Sequence, residues 1–189
     1  AAGGAHTKRL AYDALLETLA LLAENGITSV SDAGGFWPQG HVEVWQRAQA
    51  QGALTVRASN ALYVYPDRPF SAQMARLTAL FSNAPNALLR FNQAKIYVDG
   101  ILEQGSGAVL EPYEEDGGLG FGSRGFLYFG PADLFRYAEA LSDFGFQLHL
   151  HVTGDRGARL ALDAIERADP SVGPHRLTHI YLLDEDDDP

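Results

Sequence analysis

The sequence predicts an α/β fold, part of a (β/α)8 TIM-type barrel with about five parallel strands, and three observations predict it. Segments of helical periodicity alternate with short β-rich segments along the whole chain, a pattern that calls for a parallel sheet with helical crossovers. No Gly-x-Gly-x-x-Gly follows the first strand and opens a helix, which counts against a doubly wound dinucleotide-binding sheet. The residues that bear chemistry, Lys95, His151 and His179, fall in the carboxyl halves of three successive predicted strands. In a barrel such positions converge on one mouth.

Each element has a local reason. Lys8 to Asn25 carries Leu10, Leu15, Leu19 and Leu22 on one helical stripe and stops at Gly26. Ile27 to Ser31 is β-rich and closes in a loop at Asp32-Ala33-Gly34-Gly35. His41 to Gln51 reads as a helix ended by Gly52, Leu54 to Tyr65 as a strand ended by Pro66, and Ser71 to Phe81 as the next helix. Leu89 to Val98 is the third strand, with Asp99-Gly100 as its turn. A loop of about thirty residues follows, Ile101 to Gly130, with Glu111-Pro112-Tyr113 and the glycines Gly117, Gly118, Gly120, Gly122 and Gly125. Loops of that length in compact domains are functional or mobile, and this one is expected over the carboxyl ends of the strands as a wall or lid.

Pro131 to Phe144 is helical, with proline in the first turn. Leu148-His149-Leu150-His151-Val152 alternates apolar and imidazole side chains, the period of a strand. Gly154-Asp155 then supplies a turn and a helix N-cap before the helix Arg156 to Ala168. A turn at Pro170 to Pro174 leads into a fifth strand, Arg176 to Leu183, and Asp184 to Asp188 reads as the solvated acidic start of a helix. Residues 1–189 read as one partial catalytic barrel domain, five strands being too few to close a barrel of eight.

Composition narrows the function. With 46% hydrophobic and 20% charged residues the chain can bury a core. No apolar run approaches the roughly 18 residues that span a bilayer. A formal net charge of −10 argues against nucleic acid and anionic membranes. The absence of cysteine excludes disulfides and thiolate metal sites and leaves the compartment open. With no charged-then-apolar leader pattern at the start, the cytoplasm is the expected location. The expected partners are a small-molecule substrate and, through open sheet edges, further copies of the chain as a homo-oligomer.

The chain has two lysines against twelve arginines, so a lysine placed inside a strand, Lys95, stands out. Two imidazoles and an ammonium make no ordinary metal site, because the ammonium repels a cation. A carboxylated lysine is a carbamate, an anionic ligand able to bridge two metal ions. Its formation needs a neutral amine, which burial favours.

These residues resemble the metal-dependent amidohydrolases, in the subgroup that includes N-substituted formamide deformylases. Lys95-Ile96-Tyr97-Val98-Asp99-Gly100 is similar to the fourth-strand motif, Glu111-Pro112-Tyr113 to the loop after it, and His149-Leu150-His151-Val152-Thr153-Gly154-Asp155 to the fifth-strand motif. His175-Arg176-Leu177-Thr178-His179 is similar to the sixth, with Thr178 where the family typically has Glu, and Gly26 to Asp32 resembles the second. The resemblance implies Lys95, His151 and His179 as ligands to one or two divalent ions, zinc being the expected metal. It further implies substrate-binding or supporting roles for Asp99, Tyr113, His149 and Asp155. The implied chemistry is hydrolysis of non-peptide carbon–nitrogen bonds by a metal-activated hydroxide. The family's first-strand His-x-His pair and eighth-strand Asp have no counterpart in the chain, so no complete catalytic set is expected and the isolated chain is expected to be inactive, with metal bound weakly or not at all.

Plainer readings stand beside these. His149 reads as a core residue, Asp99 as a turn residue, and His6, His41 and His175 as solvent-facing. Two other functions fit parts of the pattern: a Schiff-base aldolase using Lys95 as nucleophile, and a non-catalytic barrel remnant that binds a partner.

Overall fold

The computed structural model describes residues 5–114 and 122–187. Gly117, Gly118 and Gly120 of the long loop and Asp188 of the acidic run lie outside the described residues. The elements run in order α1 (Ala5–Glu24), β1 (Ser29–Gly35), α2 (His41–Ala50), β2 (Arg57–Tyr63), α3 (Phe70–Leu80), β3 (Leu89–Tyr97), α4 (Pro131–Phe144), β4 (Gln147–Val152), α5 (Asp155–Glu166) and β5 (Arg176–His179). The strands form one sheet in the order β1-β2-β3-β4-β5, with β1–β2 and β4–β5 paired in parallel. Sequential strands as neighbours, with a helix in every connection, are consecutive units of a (β/α)8 barrel. The expected partial TIM-type barrel is the observed topology.

Contacts divide the chain into two compact units, Ala1–Tyr63 with Ala75–Gln93, and Val64–Met74 with Ala94–Pro189. In the first, α1 packs on α2 through a core of Tyr12, Val44 and Ala48, joined by Ala11, Leu15, Leu16 and Leu54. The buried stripe of α1 is set by Tyr12, Leu15, Leu16 and Leu19, the i, i+3, i+4, i+7 spacing of one face. Leu10, expected on that stripe, is off it and 52% exposed. β1 runs on through Asp32 to Gly35, where a loop was expected, because Ser31 and Asp32 pair with Ser59 and Asn60 and a register shift carries the pairing on from Gly35 to Leu62. His41, expected in solvent, is half-buried, its Nδ1 3.1 Å from the Gly34 carbonyl and its ring edge-on to Phe36.

In the second unit, α4 and α5 pack on β4 and on each other. Leu134, Ala138, Leu141, Leu148, Leu150, Val152, Ala158, Ala161 and Ala164 are fully buried. α4 has the expected bounds: Pro131 opens it, and Gly145, at φ 118°, ends it in a conformation that side chains with a Cβ avoid. α5 begins one residue early, so Gly154 is the N-cap and Asp155 lies in the first turn with its carboxylate directed elsewhere. β5 ends at His179 rather than Leu183, since His179 (φ 80°) and Ile180 (φ 45°) enter the left-handed region and break the extended run. The acidic run is a single 3-10 turn, Glu185–Asp187, and it is not merely solvated. Arg159 holds Asp184 at 3.2 Å and Asp187 at 3.1 Å. His175 is not solvent-facing either: its Nδ1 accepts from the Leu148 N–H at 3.0 Å, and its Nε2 lies 3.2 Å from the Asp169 carbonyl. Among the described residues no helix is long and apolar enough to cross a membrane.

Gln73 is the polar pin of this unit, 2% exposed. Its Oε1 accepts from the Tyr65 N–H at 2.7 Å, and its Nε2 donates to the Tyr65 carbonyl at 3.0 Å and to the Tyr137 hydroxyl at 2.7 Å. Gln73→Leu keeps the volume and strands those partners, so it should destabilise the fold by about 1–3 kcal/mol for each buried group left unpaired. Urea denaturation of the two proteins measures this.

Candidate metal centre

Along β3, residues of one parity share a face, which groups Lys95 and Tyr97 and continues to Asp99. Along β4 the same rule groups His149 and His151, and the register pairs His151 with Thr178. Regular alternation would send Thr178 and His179 to opposite faces. The left-handed φ of His179 breaks the alternation, and both side chains reach the same group: Thr178 Oγ1 lies 3.1 Å from Lys95 Nζ, and the His179 ring is edge-on to His151 at 4.6 Å between centroids. The three expected ligands, Lys95, His151 and His179, therefore belong to one cluster at the carboxyl ends of β3, β4 and β5.

Lys95 is 3% exposed, and burial pushes its amine down to about 8. Thr178 donates its own hydroxyl proton to the Leu150 carbonyl at 3.1 Å, so its oxygen is turned as an acceptor to Lys95. A carboxylate at 178 would hold Lys95 as ammonium; a hydroxyl has no charge to do so, and desolvation prevails. His149 is driven down to about 4, chiefly by burial and then by Lys95, Arg176 and His179. His151 is lowered as well, burial leading and outweighing the opposing hydrogen bond to Gly100. The two buried imidazoles thus stand neutral near pH 7, with lone pairs available, while the neutral form of Lys95 is brought within reach of mildly alkaline pH.

The His151 ring is held on two sides. Nε2 lies 2.8 Å from the Gly100 carbonyl, and since a carbonyl only accepts, the proton is on Nε2 and the lone pair on Nδ1. Its face stacks on Tyr97, centroids 4.4 Å apart and 28° between planes. The 3.9 Å separation between Nε2 and Asp99 Oδ1 is no ion pair at neutral pH, the imidazole being neutral there. Tyr97 was not singled out in the sequence. Its position two residues after Lys95 on the same strand face was the available signal.

The remaining expected residues are less open than the sequence suggests. Asp99, read as a turn residue or substrate contact, is fully buried, its carboxylate occupied by the N–H groups of Ala108, Thr153 and Gly154. Asp155 Oδ1 accepts from Leu110 N–H at 2.7 Å and from Arg156 N–H at 2.8 Å, tying the long loop to α5. The Tyr113 hydroxyl donates to the Gly107 carbonyl at 2.9 Å, and burial, then Asp99, raises its pKa. The described parts of Ile101 to Gly130 therefore lie against the carboxyl ends of β3 and β4, with Leu127 bridging Asp99 and Tyr128 N–H bonded to the Val98 carbonyl.

Among the described residues no group of three or more His, Cys, Asp or Glu side chains is placed to hold a metal ion. The donors that fit one are two imidazoles, with the Nδ1 lone pair of His151 set by its tautomer, and Lys95, whose lowered pKa raises the fraction of neutral amine that carboxylation requires.

Two imidazoles beside a buried lysine at the carboxyl end of the strands lie where barrel enzymes build their sites. A sequence model of the amidohydrolase family matches residues 4–188, and the chain belongs to that family. It is 25% identical over 139 residues to the exoenzymes regulatory protein AepA of Pectobacterium carotovorum subsp. carotovorum, covering 74% of this chain and 28% of AepA. It is 29% identical over 99 residues to YtcJ of Bacillus subtilis (strain 168), an amidohydrolase by name, covering 52% of this chain and 18% of YtcJ. An uncharacterized metal-dependent hydrolase from Pyrococcus horikoshii OT3 superposes with a TM-score of 0.76 at 20% identity, over 95% of this chain and 34% of that one. The corresponding hydrolase from Pyrococcus furiosus gives 0.71 at 21% identity, over 90% and 33%. The chain thus spans about a third of the length of these structures and less of the curated relatives.

The depressed pKa of His149 has a consequence for stability. Because its folded value of about 4 lies below the ordinary 6.5, the unfolded chain takes up the proton first as pH falls. The stability it contributes is complete above pH 6.5 and is lost through the window down to about 4. Urea midpoints should decline over that window, and His149→Gln should flatten the decline.

Proposed function

We propose that this chain carries part of the active site of a metal-dependent hydrolase acting on non-peptide carbon–nitrogen bonds, in the manner of the subgroup that includes N-substituted formamide deformylases. The observation that carries the reading is the gathering of Lys95, His151 and His179 at the carboxyl ends of three successive strands, with the lysine bonded to Thr178 and the two rings in contact. His151 through Nδ1, His179, and Lys95 as a carbamate would hold the metal, zinc being the expected ion. When bound, such an ion supplies an activated water and polarises the scissile carbonyl. The chain's own residues do the rest. Gly100 holds the proton at His151 Nε2, Tyr97 fixes the ring plane, and Thr178 holds the Lys95 nitrogen. The ordered loop segments around Ala108, Leu110 and Leu127 cover the strand ends and keep water from Asp99. Tyr113 in that loop, and Asp155 in the first turn of α5, would be the groups nearest to substrate. A lysine at about 8 also suits a Schiff-base nucleophile, but that reading leaves the two imidazoles without a shared role.

Zinc titration of the 189-residue chain, followed through the imidazole 15N signals, tests the reading. Zinc should perturb His151 and His179 before His41 and His175, with an affinity short of stoichiometric, and Lys95→Ala should weaken the effect. Zinc acting on the other histidines alone would sink the proposal. Tight stoichiometric zinc with turnover of amide substrates, abolished by Lys95→Ala, would overturn the view that the site in this chain is incomplete.

A further inference from the structure

The Asp99 carboxylate is 0% exposed and gathers donors from two other segments. Oδ1 accepts from Thr153 N–H at 2.9 Å. Oδ2 accepts from Ala108 N–H and Gly154 N–H, both at 2.9 Å, with the Thr153 hydroxyl 3.3 Å away. The same hydroxyl lies 3.0 Å from the Gly100 carbonyl, the oxygen that faces His151 Nε2 at 2.8 Å. The long loop, the β4–α5 turn and the peptide after β3 are thus locked to one another through a single side chain.

We infer that Asp99 is a positioning residue that sets the tautomer of His151. It does so in two ways. By gripping Thr153 it fixes the Gly100 peptide, so that the carbonyl is presented to Nε2. Its own negative charge stands 3.9 Å from Nε2, where it favours an N–H and disfavours a lone pair. With the proton on Nδ1 instead, the Nε2 lone pair would face the Gly100 carbonyl and the Asp99 carboxylate together. Asp99 therefore touches neither substrate nor metal; it leaves the lone pair of His151 on Nδ1. Partners of this kind orient imidazole ligands generally.

The inference rests on the proposed ligand role of His151 for its consequence, while the tautomer itself is read without metal. The imidazole 15N–1H correlation spectrum of the metal-free 189-residue chain, at a pH where the ring is neutral, reports it directly. His175 is the internal control: its Nδ1 accepts from the Leu148 N–H, which fixes the same tautomer by other contacts. Asp99→Asn keeps the shape, removes the charge and turns an amide N–H2 toward backbone donors. Gly157→Ala, compatible with helix propensity in α5, adds a methyl 2.7 Å from Asp99 Oδ2, so the carboxylate must shift although it is not removed. The expected result is an Nε2–H pattern for His151 in the wild type, replaced in both variants by a mixture containing the Nδ1–H form, with His175 unchanged. An Nδ1–H pattern for His151 in the wild type would overturn the inference. So would an unaltered Nε2–H pattern in folded Asp99→Asn or, should that variant fail to fold, in Gly157→Ala. Zinc acting on the other histidines alone would remove the ligand role of His151 and leave this result standing.

Discussion

A carboxylate removed from water must find donors to replace its hydration, or it does not stay charged and buried. Asp99 meets that demand with backbone N–H groups from the long loop and from the β4–α5 turn. Much of the unit's local geometry follows from this. The loop folds back over the strand ends because Ala108 N–H is held there, and Gly157 N–H bonds to the Ala108 carbonyl in turn. Residue 157 is glycine because a Cβ would meet Asp99 Oδ2 at 2.7 Å. The Gly100 carbonyl, beside this hub, is what His151 leans on.

Around that hub the charges are arranged in an unusual way. Lys95, His149, His151 and His179 are near enough to influence one another, and the Asp99 carboxylate close to His151 is already engaged by the backbone. Burial presses Lys95, His149 and His151 toward their neutral forms, and neighbouring basic groups add to the effect on the two imidazoles. With Thr178 in place of an acid, no counter-charge at that position opposes the lowering of Lys95 by burial. A neutral imidazole is an electron-pair donor, so the burial that makes His149 and His151 costly as cations leaves their lone pairs free of protons.

The aromatic neighbours show how such a site is held rigid. Tyr97 meets both groups, its ring centroid 5.3 Å from the Lys95 amine and its face stacked on the His151 ring. Tyr128 and Phe126 continue the contact outward from Tyr97, Phe126 edge-on to Tyr128. Stacked and edge-on rings limit rotation at modest energetic gain for each pair, and a side chain that cannot turn keeps its donor atoms in place.

The order of helices and strands, the parallel sheet and the carboxyl-end placement of Lys95, His151 and His179 were legible in the sequence, because periodicity and strand parity are local properties of the chain. α4 was legible to the residue, since Pro131 and Gly145 mark both ends. The limits of β1 and β5 were not. β1 is prolonged by pairing with β2, and β5 is cut short by left-handed residues that bring His179 to His151; neither partner is visible from the strand itself. Asp99 and Asp155 looked like turn and cap residues, since that is what Asp-Gly and Gly-Asp mean locally. Only the tertiary structure decided that one would be sealed in by Thr153, Gly154 and Ala108 and the other would pin Leu110, because those hydrogen bonds join residues 9 to 55 positions apart, beyond the reach of any local pattern.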